Sequence, residues 1–181
     1  GASGAYMDHK AALEQSKNSL RNDLMASTNA AATSLALAAN ASISFNDALT
    51  EMAQKEMDAS NALDHLASAG GQLVGSFDKA QAAYLEAQRK LAQAEANPNA
   101  TEGELKVARE AAENAAKGME RLQKDAAKLA STVRGKQTAA IEEMIKSGKT
   151  AAQVLADPKI KRGYEQEYQA NVRAKMASLM A

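Results

Sequence analysis

Apolar residues along this chain recur in alternating steps of three and four, the spacing that lets helices wind on one another, and alanine fills 43 of the 181 positions. The first stripe runs from Leu24 through Leu35, Phe45, Met52, Glu56 and Ala59 to Leu63, Leu66, Gly70, Leu73, Phe77, Tyr84, Leu91 and Ala94 without a slip in register. A second begins at Leu105 and passes through Met119, Leu122 and Leu129 to Val133. Because alanine is the strongest helix former and its small side chain lets helix axes approach closely, long thin helices follow. The fold class is all-α: an elongated antiparallel coiled-coil hairpin or a three- to four-helix bundle with long helices.

Punctuation between the stripes divides the chain. Residues 1–6, opening Gly1-Ala2-Ser3-Gly4, read as a cloning remnant or a disordered start, and 7–181 as one elongated helical domain. A first long helix is expected over about 8–96, kinked or broken at 68–75. The register passes intact through Gly70-Gly71, whereas each glycine costs about 1 kcal/mol against alanine, so pattern and propensity pull in opposite directions. Asn97-Pro98-Asn99-Ala100 marks a turn over 97–101. Thr101 with Glu104 makes a capping box for a helix over 102–147. Its stripe stutters after Val133, near Gly135, toward Gln137, Ile141 and Met144. Ser147-Gly148 stops it, Thr150 with Gln153 caps a short helix over 150–156, and Asp157-Pro158 starts the last, 158–180. That helix carries Ile160, Tyr164, Tyr168, Val172, Met176 and Leu179 mostly at steps of four, a stripe suited to packing against the N-terminal half of the rod. The coiled-coil seam is assigned to Leu63, Leu66, Leu73, Phe77, Tyr84, Leu91, Leu105, Met119, Leu122, Leu129 and Val133.

Chemistry is sparse. Without cysteine there is no disulfide, thiolate metal site or Cys nucleophile. His9 and His65 lie far apart and form no ligand pair, so no metal is expected. Gly148-Lys149-Thr150 lacks the earlier glycine of a phosphate loop, since Glu143 stands in its place, and it reads as a helix stop and cap. The neighbouring carboxylates Glu142-Glu143 and Glu165 with Glu167 would need a pocket to set their pKa values apart. No catalytic residue or cofactor is assigned, and the chain is not expected to be an enzyme.

Lys plus Arg and Asp plus Glu balance at 22 each, and only six residues are Phe or Tyr, which excludes an extended nucleic-acid face. The stretch from Leu24 to Asn46 is uncharged over 23 residues, yet nine of them are Ser, Thr or Asn, so a close small-residue helix contact is expected there rather than a membrane span. Lys159, Lys161 and Arg162 form a compact basic cluster, which leaves contact with a membrane surface as an alternative to simple solvation.

The hairpin from Leu73 to Val133, meeting at Asn97-Pro98-Asn99-Ala100, resembles the N-terminal coiled-coil region of type III secretion translocators of the invasin B family. The run Glu167-Tyr168-Gln169-Ala170-Asn171-Val172-Arg173-Ala174-Lys175 is loosely similar to the helix that precedes their membrane segments. Receptor-binding rods of colicin-like toxins resemble the hairpin nearly as well, and the apolar membrane helices of the translocators have no counterpart in this sequence. The resemblance implies a noncatalytic helical domain of a bacterial secreted protein, exported without a classical signal peptide. It would act by helix-helix contact with a protein partner or with itself during delivery to a host or target cell. A cytoplasmic structural or adaptor coiled coil is the alternative, and a membrane-active helical toxin domain the second.

Overall fold

The computed structural model describes residues 2–180, and five helices account for nearly all of them: α1 (Ala2–Gln54), α2 (Ala59–Ala96), α3 (Glu102–Lys146), α4 (Ala151–Ala156) and α5 (Pro158–Met180). No strand occurs among the described residues, so the protein is all-α. Helices α1, α2 and α3 run up, down and up against one another, and α5 returns along the groove between α2 and α3. The molecule is thus a bundle with three helices in cross-section at one end and four at the other. Residues 2–6, expected as a cloning remnant or a disordered start, are helical and continue α1; Gly1 and Ala181 lie outside the described residues.

The expected helix over 8–96 is two helices, and the break falls at 55–58 instead of 68–75. Glu56 adopts a left-handed backbone with φ of 47°, and Asp58 caps α2 by accepting the Asn61 N–H at 2.7 Å. Four residues of turn replace one helical step of four, so the stripe through Met52, Glu56 and Ala59 keeps its count while the chain reverses. Gly70 and Gly71 sit inside α2. A Cβ on Gly70 would press on Leu129 and Gln166 at 3.2 Å, so this glycine serves the close approach of α3 and α5.

The other boundaries follow their local chemistry. Thr101 Oγ1 accepts the Glu104 N–H at 3.1 Å while Glu104 Oε2 accepts the Thr101 N–H at 3.3 Å. Thr150 and Gln153 repeat the reciprocal pair at the start of α4. Gly148 takes φ of 91° just past α3, where a residue bearing a Cβ would be strained. Pro158 opens α5, and Asp157 Oδ1 accepts the Lys159 N–H at 2.8 Å.

The core changes along the bundle axis. At the three-helix end it is thin, with Leu20, Leu24, Ala94 and Ala108 in one cluster and Ala31, Ala87, Ala111 and Ala115 in the next. Toward the four-helix end it thickens around Phe45, Leu66, Phe77, Leu122, Leu129, Val133 and Ile160, all essentially without solvent contact. Of the assigned seam, Leu63, Leu66, Leu73, Phe77, Met119, Leu122, Leu129 and Val133 are buried, while Tyr84, Leu91 and Leu105 are half-buried. Helix α1 packs against both α2 and α3 and so completes the thin seam between them. Its uncharged stretch makes the small-residue contact: Ala31, Ser34 and Ala38 are buried, and Ser34 lies where a Cβ on Gly118 of α3 would come within 2.9 Å of its hydroxyl. No helix among the described residues is long and apolar enough to cross a membrane.

Candidate interaction surface

Helix α5 packs against α2 and α3 with its small residues. Ile160, Gly163, Ala170 and Ala177 are buried, Met180 packs partly buried against the core, and polar contacts flank them. Gln137 Nε2 in α3 donates to the Ile160 carbonyl at 2.7 Å, Tyr84 Oη donates to the Met180 carbonyl at 2.8 Å, and Gln166 Nε2 reaches the Leu66 carbonyl at 3.4 Å. Ion pairs line both edges of the joint. Asp64 of α2 holds Lys159 at 3.2 Å and Arg162 at 3.0 Å, Asp78 holds Arg173 at 3.2 Å, and Arg134 of α3 lies 3.5 Å from Glu167.

This orientation corrects the expected one in two respects. Helix α5 makes no contact with α1, the N-terminal half of the expected rod, because the reversal at 55–58 places α2 beside it instead. Beyond Ile160 the large apolar stripe also turns away from the bundle: Tyr164, Tyr168, Met176 and Leu179 are exposed, Tyr168 at 67% and Leu179 at 79%, and Val172 is half-buried. At 100° per residue these five side chains share one side of the helix, and the glycine and alanines occupy the other. The bundle offers little depth on α5's inner side, so Gly163, Ala170 and Ala177 fit there and tyrosines do not. The sequence carried that signal in the alanines, which form the packing side elsewhere in the chain as well.

The remaining candidate residues resolve into structural contacts. Of the basic cluster, Lys159 and Arg162 are spent on Asp64, and Lys161 is exposed without an ion pair among the described residues. Lys149 of the Gly148-Lys149-Thr150 segment lies 3.7 Å from Asp157 across the α4 turn. Glu165 is exposed while Glu167 turns toward Arg134, so the two carboxylates do not converge. His9 is exposed on the free part of α1, and His65 Nε2 lies 3.2 Å from Glu51, which places the first turns of α2 beside the last turn of α1. Hydrogen bonding and charge from Lys55, with a smaller contribution from His65, hold the Glu51 carboxyl below its ordinary value. Among the described residues no three His, Cys, Asp or Glu side chains converge as metal ligands would.

Two other surfaces stand open. From Gly4 to Ser19 the first helix is exposed on nearly every side, with Tyr6 and Met7 in solvent, because α2 and α3 end short of it. A shallow groove of about 480 Å³ lies between α1 and the start of α3, walled by Leu24, Met25, Thr28 and Val107. No protein-family model, curated protein or solved structure matches this chain.

Proposed function

We propose that this is a noncatalytic helical domain of a bacterial secreted protein, of the translocator, effector or toxin kind, working through helix-helix contact with a protein partner during delivery to a host or target cell. The observation that carries the interaction half of this reading is the outward stripe of Tyr164, Tyr168, Val172, Met176 and Leu179 on α5. Contiguous apolar side chains on a folded surface mark a place where something binds, and a helix presenting them at steps of four suits another helix. The delivery half rests on the sequence resemblance alone, a virulence role included. A photo-crosslinking residue at position 168, in the protein made by the bacterium that encodes it, tests both halves. Cross-linking to protein in the culture medium, absent when the probe sits at the exposed Thr138, is the expected result. Retention inside the cell would overturn the delivery half, and equal cross-linking at both positions the interaction half.

A further inference from the structure

We infer that the outer face of α5 is a self-association surface on which α5 of a second copy lies antiparallel, its two-fold axis level with Ala170. The inference rests on the reading that this face binds protein, and it names the partner.

Steps of four along Tyr164, Tyr168, Val172 and Met176 form one continuous ridge, and two such ridges interdigitate when helices cross at about −50°. Turning the ridge end for end about the level of Ala170 lays Tyr168 over Val172 and Tyr164 over Met176, so aromatic rings meet aliphatic side chains throughout. The same operation carries Leu179 to the level of Lys161, whose methylene stem it can cover.

The charges agree with that register. Glu165 and Lys175 are both exposed and stand five residues on either side of Ala170, so each copy brings its carboxylate to the height of the other's ammonium. A parallel pairing in register would place like charges together. Beside the ridge lies a groove of about 320 Å³ between α5 and α2, floored by Gly70 and Gly71 and edged by Ala67, Val74 and Glu165. In the antiparallel arrangement Met176 of each copy arrives at this groove's level, where the space at Gly71, with nothing within 4 Å of a Cβ position, leaves room for it.

Charge also argues against a lipid surface as the occupant. Recognition of anionic headgroups uses clusters of about four to eight basic residues. Lys159, Arg162 and Arg173 of α5 are already paired with Asp64 and Asp78, which leaves Lys161 and Lys175 against Glu165 on the outer face.

Sedimentation velocity on the full chain over a wide concentration range tests this, with vesicles of phosphatidylserine and phosphatidylcholine as a separate arm. A concentration-dependent dimer is expected, weakened at least tenfold by Tyr168→Glu, with the melting temperature unchanged at concentrations where both proteins are monomeric, since that side chain is exposed in the single copy. Glu165→Lys and Lys175→Glu should each weaken the dimer severalfold, and the two together should restore it; a merely sticky face would give no such rescue. A monomer at all concentrations, a dimer indifferent to Tyr168→Glu, or a failure of the double charge reversal to rescue overturns the inference. Vesicle binding by a monomer, lost in Tyr168→Glu, overturns it in favour of lipid. Continued cross-linking of position 168 to a different protein would remove the self-association while leaving the proposed function in place.

Discussion

Gln137 and Gly163 fit one another across the α3–α5 joint: the buried Gln137 amide donates to the Ile160 carbonyl at 2.7 Å, and its other end fills the space that a side chain on residue 163 would need. A Cβ there would overlap Gln137 Oε1 and approach Cδ to 2.7 Å. Gly163→Ala gains about 1 kcal/mol in helix propensity. Against that, it forces a buried amide out of its hydrogen bond, a cost of about 1–3 kcal/mol, or overpacks the joint by a similar amount. The loss prevails, so urea unfolding should show Gly163→Ala destabilised by about 1 kcal/mol net. Adding Gln137→Ala should recover part of the deficit, because the obstructing side chain is then gone. Strictly additive effects of the two substitutions would contradict this coupling.

Glycines elsewhere in α3 should separate cleanly by what faces them. Nothing lies near a Cβ on Gly135, whereas one on Gly118 would stand 2.9 Å from Ser34 Oγ and 3.4 Å from the Ser34 carbonyl oxygen. Gly135→Ala should therefore stabilise the protein by about 0.5–1 kcal/mol through propensity alone. Gly118→Ala should destabilise it, because the buried Ser34 hydroxyl must turn aside, or α1 and α3 move apart, along a contact whose closeness depends on small residues. Thermal melts of the two variants should move in opposite directions, and a shift of the same sign in both would refute the assignment.

Among the described residues Lys90 is the one buried cation; it lies in the narrow part of the bundle, with its ammonium 3.0 Å from Asp23 of α1 and 3.7 Å from Glu86. The aspartate side chain is 43% exposed, so solvent screens the pair and its worth is modest. Asp23→Ala leaves the buried ammonium with its more distant partner and should cost about 1 kcal/mol. Lys90→Met fills the same space without a charge to desolvate and should be neutral or slightly stabilising. Equilibrium unfolding of the two variants distinguishes them: equal losses would mean that the pair itself, and not the stranded charge, carries the effect.

Helix caps at Thr101 and Thr150 and the breaks at Pro98 and Gly148 were legible, since each depends on a few adjacent residues with one dominant conformation. The reversal at Glu56 was not, because a four-residue turn preserves the count of a heptad stripe and the glutamate that takes the left-handed conformation carries no turn signal. Gly70-Gly71 carries the stronger local break signal, although the role of Gly70 depends on Leu129 and Gln166, more than fifty residues distant. Most of the assigned seam proved buried because large residues at steps of three and four have few other places to go. The direction of α5 was lost for the opposite reason: which of its two faces packs depends on the depth of the groove between α2 and α3, a quantity no single helix encodes.

Acid should loosen the reversal between α1 and α2 first through Glu51. Its carboxyl accepts from Lys55 at 2.6 Å and lies 3.2 Å from His65, and these neighbours hold its pKa down in the folded protein. A carboxyl depressed on folding contributes stability that is fully present above its unfolded value, about 4.3, and that disappears as pH falls through the folded value. Lowering the pH from 5 to 2 should therefore reduce the urea midpoint, and Glu51→Gln should flatten part of that slope while lowering the plateau at neutral pH. The group is well solvated, so the change in slope will be small, and ionic strength should diminish it further. If Glu51→Gln leaves the acid limb parallel to that of the unmodified protein, the link between the two helices lies in the backbone turn and the Asp58 cap rather than in this carboxylate.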